Sequence, residues 1–269
     1  MRHCIVNKII IGGDSPVRLM GVINCSPESF YSDSYVPTDA VHAKAVEMVE
    51  QGADFIDIGT RSTAPNAAGI SGNEEASRME AALSQLDGSG IPVSVDTPHP
   101  GVLEVCLKHD IHAVNDISGL SSPRYTRMVA DAGLPAFVMA SGYLPGDAVG
   151  LDATIAMLGT VVKRCESAGI KEFVLDPGIG LWTALRSVDN DWELCQNFER
   201  FLLFDHPLLA AVSRKSFIGN LLDREPVDRL SGSLTVTLML LEKGASVVRT
   251  HDVPQTSDVI RVYQRMVKR

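Results

Sequence analysis

Eight short apolar runs, each followed by a stretch with helical spacing, restrict this chain to a narrow set of folds. The runs are Leu19–Asn24, Asp54–Ile58, Ile91–Val95, His112–Asn115, Pro135–Met139, Glu172–Leu175, Leu208–Val212 and Ser246–Arg249. Between them apolar residues recur at helical intervals, as at Ala40, Ala43, Val46, Met48 and Val49, or at Ile155, Leu158, Val161 and Val162. Strands alternating with helices require parallel pairing and right-handed crossovers. Eight such units predict an α/β fold of the TIM (β/α)8 barrel type, with a doubly wound open sheet as the alternative. Glycine falls at several predicted helix-to-strand turns (Gly52, Gly90, Gly133, Gly169, Gly244), where it can take the left-handed conformation that ends a helix. Ahead of the first run, Ile5–Ile11 and Gly12–Ser15 read as a short N-terminal hairpin. No linker, low-complexity tract or charge block divides residues 1–269, so one domain is expected.

Composition removes several function classes. A hydrophobic content of 45% in 269 residues supports a large core. The net charge of −9 disfavours nucleic acid or an anionic membrane as partner, because both repel an acidic surface at long range. The five cysteines, Cys4, Cys25, Cys106, Cys165 and Cys195, are widely spaced with no C-x-x-C, which suggests neither a disulfide framework nor a zinc site. Free buried thiols in a reducing cytoplasm are expected. No charged start precedes an uninterrupted apolar segment, so neither a signal peptide nor a membrane span is expected.

A barrel of this type carries its active site where the strands end. Read in order, the strand ends supply Asn24, Asp57, Asp96, Asn115 with Asp116, Met139, Asp176, Lys215 after Ser213 and Arg214, and Arg249 with His251 and Asp252. Any one Asp after a strand is most often a helix cap or a turn former. Convergence of carboxylates, amides, a Lys, an Arg and a His on one face is different, since it makes a polar pocket of mixed charge. Such a pocket suits a heteroaromatic ligand: carboxylates accept from its ring N–H and amino groups, amides read both kinds of atom, and a cation holds its carbonyl. It is a poor metal cage, because cations sit among the acids and no His pair has ligand spacing.

The segments MGVINCSPESF (Met20–Phe30), DIGTRST (Asp57–Thr63), VSVDT (Val93–Thr97), VNDISG (Val114–Gly119), LDPGIG (Leu175–Gly180), SRKSFIG (Ser213–Gly219) and RTHDV (Arg249–Val253) resemble, in order, the successive motifs of the dihydropteroate synthases. The resemblance covers almost the whole chain. It implies a TIM barrel that displaces diphosphate from a pterin-6-methyl diphosphate with an arylamine. By position it implies that Asp96, Asn115, Asp176 and Lys215 hold the pterin ring, with Met139 at its face and Arg249 stacked against it. Asn24, Arg249 and His251 correspond to the diphosphate and Mg²⁺ end, Ser62 and Thr63 to the loop over the amine, and Ser216 to a residue near that amine. Asp96, Asp176, Lys215 and Arg249 are thus the implied catalytic residues, Mg²⁺ the implied cofactor with Asn24 beside it, and a homodimer the implied assembly.

The chain also departs from the family. Where Gly-Gly-Glu-Ser-Thr-Arg-Pro-Gly is usual it has GTRSTAPN (Gly59–Asn66), with Ala64 at the Arg position; Trp182 and Thr183 replace Gly and Lys, and ASGY (Ala140–Tyr143) follows Met139. The pterin half of the motif set is kept and the amine half rewritten. This suggests an amine without the carboxylate of 4-aminobenzoate, such as the ribofuranosyl-aminobenzene phosphate of methanopterin synthesis. Two other readings share the barrel. A pterin-dependent methyltransferase would take a methyl-tetrahydropterin and need no diphosphate site, and a non-catalytic pterin-binding protein would bind without Mg²⁺. Elsewhere Glu74–Arg78 reads as a solvated first helical turn, and Trp192, Phe198, Phe201 and Phe204 read as core or interface. Cys25 reads as packing, and a helix from Val227 to Glu242 is long enough to serve a dimer.

Overall fold

The computed structural model describes residues 2–27, 35–61 and 69–267. Strands β1 (His3–Val6) and β2 (Ile9–Gly12) form the antiparallel hairpin, turned at Asn7 and Lys8, both at positive φ. Positive φ at both turn positions gives the backbone twist that joins two strands tightly.

Eight parallel strands follow: β3 (Arg18–Asn24), β4 (Phe55–Gly59), β5 (Val93–Asp96), β6 (Ala113–Asp116), β7 (Ala136–Met139), β8 (Phe173–Asp176), β9 (Leu209–Ala210) and β10 (Val247–Thr250). They are ordered β8-β7-β6-β5-β4-β3-β10-β9. A parallel bridge from Leu175 to Leu208, with the Leu175 N–H on the Pro207 carbonyl at 2.9 Å, joins β8 to the segment entering β9. That contact rules out the open sheet and closes a barrel. Around it lie α1 (Val41–Glu50), α2 (Gly72–Leu83), α3 (Pro100–Cys106), α4 (Pro123–Ala132), α5 (Leu151–Ala168), α6 (Val188–Gln196), α7 (Ser216–Leu222), α8 (Leu230–Glu242) and α9 (Val253–Val267). Helix α4 starts at the Ser122 cap with Pro123 in its first turn, and left-handed Gly133 ends it. Helix α6 starts at a capping box, in which Ser187 and Asn190 exchange hydrogen bonds. The helix expected from Val227 begins at Leu230, because Pro226–Asp228 winds as a 3-10 turn.

Alternation along the strands divides the apolar residues into two cores. One face packs on the helices, through residues such as Ile56, Ile58, Val95, Val138 and Leu175. The other face points into the barrel, where Met20, Phe55, Ala113, Phe137, Val174, Leu209 and Val247 meet Cys4, Val6 and Ile11 of the hairpin. The hairpin thus plugs the amino-terminal end of the barrel, each such side chain contributing about 2 kcal/mol by leaving water. Two residues further along each strand the same inward face carries Asp57 after Phe55, Asn115 after Ala113, Met139 after Phe137, Asp176 after Val174 and Arg249 after Val247. A hydrophobic floor and a mostly polar upper layer arise from one periodicity.

All five cysteines are buried and free, as expected. Phe198 and Phe201 are core residues in edge-to-face contact, carried on a 3-10 segment. No helix among the described residues is long and apolar enough to cross a membrane.

Candidate active site

Strand register places the polar residues side by side: Asn24 pairs with Gly59, Gly59 with Asp96, Asp96 with Asn115, and Met139 with Asp176. The centre of the cluster is Asp57, which is fully buried. Its Oδ2 accepts from Nε of Arg249 at 2.7 Å and from Nδ2 of Asn115 at 2.8 Å. Arg249 also donates Nη2–H to Oδ2 of Asp96 at 2.8 Å. Burial works against the Arg249 charge, but Asp57 and Asp96 hold the guanidinium above its usual value. Burial pushes the Asp96 carboxyl above the usual carboxylate range, opposed by Arg249 and reinforced by Asp57 and Asp116. Oδ1 of Asp57 and Oδ1 of Asp96 are left buried with no hydrogen-bond partner among the described residues. A buried acceptor without a donor costs about 1–3 kcal/mol, and a donor-bearing ligand at the barrel mouth would remove that cost.

On the other side of the mouth, Asp176 accepts the Gly178 N–H at 2.7 Å, and Lys215 donates Nζ–H to the Ile179 carbonyl. Met139 lies beneath this turn, where a Cβ on Gly178 would meet its Cγ at 2.9 Å. Gly178 and Gly180 both have positive φ, so a side chain at either position would be strained, and at Gly178 it would also press on Met139. Burial raises the Asp176 carboxyl against the opposing pull of Lys215, and burial lowers the Lys215 ammonium against Asp176 and Asp191. Asp116, the other half of the Asn115–Asp116 pair, turns away to accept from Ser118 and Leu120 within its own loop. Its role is structural.

His251 is held by Ser213, whose Oγ meets its backbone N–H at 3.3 Å and Nδ1 at 3.1 Å. Burial, with Arg249 nearby, pushes the imidazole down to about 4, so it is neutral at pH 7. Arg214 donates Nε–H and Nη2–H to the two carboxylate oxygens of Asp252 at 2.9 and 2.6 Å, and this fork ties together the loops that carry Lys215 and His251. Asn24 ends β3 with its Oδ1 on the Ser26 N–H at 3.1 Å. Ser216 is exposed, at the first position of α7 beside Lys215. Ser62, Thr63 and Ala64 lie outside the described residues. Cys25 is buried and its thiol is pushed up to about 12, which suits packing and not nucleophilic attack.

Three features of the site escape the sequence. Asp57 appears there only as one strand-end acid among several. Glu75, expected in a solvated turn, is 1% exposed and accepts from Thr97 Oγ1 at 2.6 Å, Arg61 Nε at 2.9 Å and His99 Nδ1 at 2.9 Å. The third is the buried pair of Arg186 and Asp191 behind the Gly178–Gly180 turn. For Glu75, the Ser71 cap and acidic first turn gave a signal for helix start but none for burial.

The arrangement offers carboxylate acceptors, one amide, an arginine and a lysine around a thioether, which fits a flat, donor-rich heterocycle. The family described as pterin binding enzyme matches residues 20–251. Dihydropteroate synthase of Escherichia coli strain K12 is 35% identical over 262 residues, covering 92% of this chain and 90% of that protein. The chain belongs to the dihydropteroate synthase family. A dihydropteroate synthase from Coxiella burnetii, solved in complex with pteroic acid, superposes with a TM-score of 0.87 at 28% identity over 98% of each chain. A Xanthomonas albilineans dihydropteroate synthase with 4-aminobenzoic acid gives 0.82 at 31% identity, again over 98% of each. The barrel is therefore that of the dihydropteroate synthases, and enzymes of this family are transferases.

Proposed function

We propose that the chain condenses a 6-hydroxymethyl-7,8-dihydropterin diphosphate with an arylamine and releases diphosphate, as a step of folate synthesis. The observation that carries this reading is the pair of buried acceptors with no donor among the described residues, Oδ1 of Asp57 and Oδ1 of Asp96, beside Asn115, Asp176 and Lys215. They match the amino and ring N–H edge of a pterin, Lys215 faces its carbonyl, and Met139 and Arg249 take its faces. The amine nitrogen forms the new C–N bond as the C–O bond to diphosphate breaks, and the surplus amine proton passes to water. Positive charge spreading into the pterin as diphosphate departs is stabilised by Asp96 and Asp176, while Arg249 and neutral His251 receive the leaving group. An arylamine is already a neutral nucleophile, so positioning supplies much of the rate.

The donor set fits Mg²⁺ carried in by the diphosphate and not a metal caged by protein. Among the described residues no three His, Cys, Asp or Glu side chains group as ligands, whereas Asn24 offers one hard oxygen at the mouth. Bound there, Mg²⁺ would neutralise the leaving diphosphate. Ser62, Thr63 and Ser216 serve the amine side. The amine is 4-aminobenzoate, a reading supported by the bacterial relatives' names and bound compounds; the carboxylate-free alternative rests on Ala64. A homodimer and a cytoplasmic location complete the proposal.

The test is calorimetric titration with the pterin diphosphate, with and without Mg²⁺, beside the same titration with a methyl-tetrahydropterin. Tight Mg²⁺-dependent binding of the diphosphate is expected. Preference for the methylated pterin regardless of Mg²⁺ would move the assignment to methyl transfer.

A further inference from the structure

The Gly178–Gly180 turn is held from behind by two charged side chains that the reaction does not require. Arg186 and Asp191 are 1% and 0% exposed and meet at 3.4 Å. Oδ1 of Asp191 accepts the Gly180 N–H at 2.7 Å, and Nη1 of Arg186 donates to the Gly178 carbonyl at 2.8 Å. Nε1 of Trp182 donates to the same carbonyl at 3.0 Å. The residue between those two glycines, Ile179, turns its carbonyl to Lys215, and Gly178 sits on Met139. We propose that the Arg186–Asp191 pair is a positioning device of the pterin subsite, setting Lys215 and Met139 against the ring by fixing the Gly178–Gly180 turn.

The pair is badly placed to serve stability alone. Nε of Arg186 and Oδ2 of Asp191 are buried with no partner among the described residues, so each ion loses water without full compensation. Apolar side chains of similar volume commonly replace such a pair at no loss of stability. What apolar side chains cannot do is accept the Gly180 N–H, donate to the Gly178 carbonyl and place a negative charge behind a buried ammonium. The charged groups facing Lys215 are Asp176 from β8, Asp191 from α6, Arg249 from β10 and Arg186 from the connecting loop. Burial, Arg249 and Arg186 oppose its charge, while Asp176 and Asp191 sustain it.

The inference rests on the pterin reading above, and its test separates the two. Binding of 6-hydroxymethyl-7,8-dihydropterin diphosphate with Mg²⁺ is measured from pH 6 to 10 for the wild-type chain and for Asp191→Asn. The ligand's own titration is common to both proteins. Asp191→Asn should weaken binding about tenfold or more at neutral pH and move the alkaline loss of binding to lower pH, because Lys215 loses a sustaining charge. A merely structural defect would weaken binding without moving that limb, and this result would overturn the proposal, as would unchanged binding. Should Asp191→Asn fail to fold, Arg186→Lys and Arg186→Gln carry the test. Arg186→Lys loses the fork to Gly178, and Arg186→Gln also removes a charge that opposes the Lys215 ammonium. Binding should weaken in both, with the limb moved to higher pH in Arg186→Gln alone, and unchanged affinity or a limb that stays in place in Arg186→Gln would overturn the proposal. A wild-type chain that does not bind the pterin diphosphate would refute the functional reading and this inference together.

Discussion

Arg249 donates Nε–H to Oδ2 of Asp57 at 2.7 Å, and this contact joins the last strand of the barrel to the second through a fully buried carboxylate. Asn115 shares the same oxygen, so one side chain orients a cation and an amide at once. Asp57, Arg249, Asp96 and Asn115 are thus held by one another at the top of the barrel.

Asp57→Ala should therefore damage both fold and site. It strands the Arg249 guanidinium and the Asn115 amide in the barrel, a loss of about 3–5 kcal/mol for breaking a buried ion pair. Urea unfolding should show that loss, and calorimetry should show pterin binding abolished.

Glu75 ties acid stability to one buried carboxylate. Burial pushes its carboxyl up, but hydrogen bonds from His99, Thr97 and Arg61 outweigh this and leave it below its ordinary value of 4.5. The folded state thus binds fewer protons there than the unfolded state, so the contribution is present above pH 4.5 and is lost as pH falls below it. Glu75→Gln should unfold in less urea at pH 7, by about 1–3 kcal/mol, and should show a flatter loss of stability in acid.

His251 acts in a different window. With its imidazole lowered from 6.5 to about 4, the unfolded chain takes up a proton first, and stability falls as pH drops between those values. His112 and His206 are lowered too and contribute in the same sense. His251→Asn should reduce, without abolishing, the slope of unfolding free energy against pH across that range.

Trp182 should report the site optically. Lys215 Nζ lies 5.2 Å from its ring centroid, whereas Trp192, the other tryptophan of the chain, packs edge-on to Phe217. Addition of the pterin diphosphate should change the emission of the wild-type chain, and Trp182→Phe should remove most of that change.

Much of this was legible in the sequence because strand periodicity and strand ends are local features. The eight runs, the closing turns at Gly133 and Gly169, and the inward residues Asp96, Asn115, Met139, Asp176 and Arg249 all follow from short stretches of chain. Charge burial is not local. Glu75 sits in a helix first turn whose sequence is that of a solvated one, and only Arg61, Thr97 and His99, brought from two other loops, explain its position. Arg186 and Asp191 carry no sequence signal at all, because their burial arises only where the Gly178–Gly180 turn packs against them. The start of α8 differs for a local reason, since Pro226 favours a 3-10 turn that delays the helix to Leu230.

Diphosphate release decides between the readings of this site when the chain is given 6-hydroxymethyl-7,8-dihydropterin diphosphate, Mg²⁺ and either 4-aminobenzoate or a ribofuranosyl-aminobenzene phosphate. Release should depend on an arylamine, with one diphosphate for each pterin–arylamine adduct found by mass spectrometry and with 4-aminobenzoate the better amine. Absence of adduct with every arylamine, from a chain that still binds the pterin, would contradict the synthase reading.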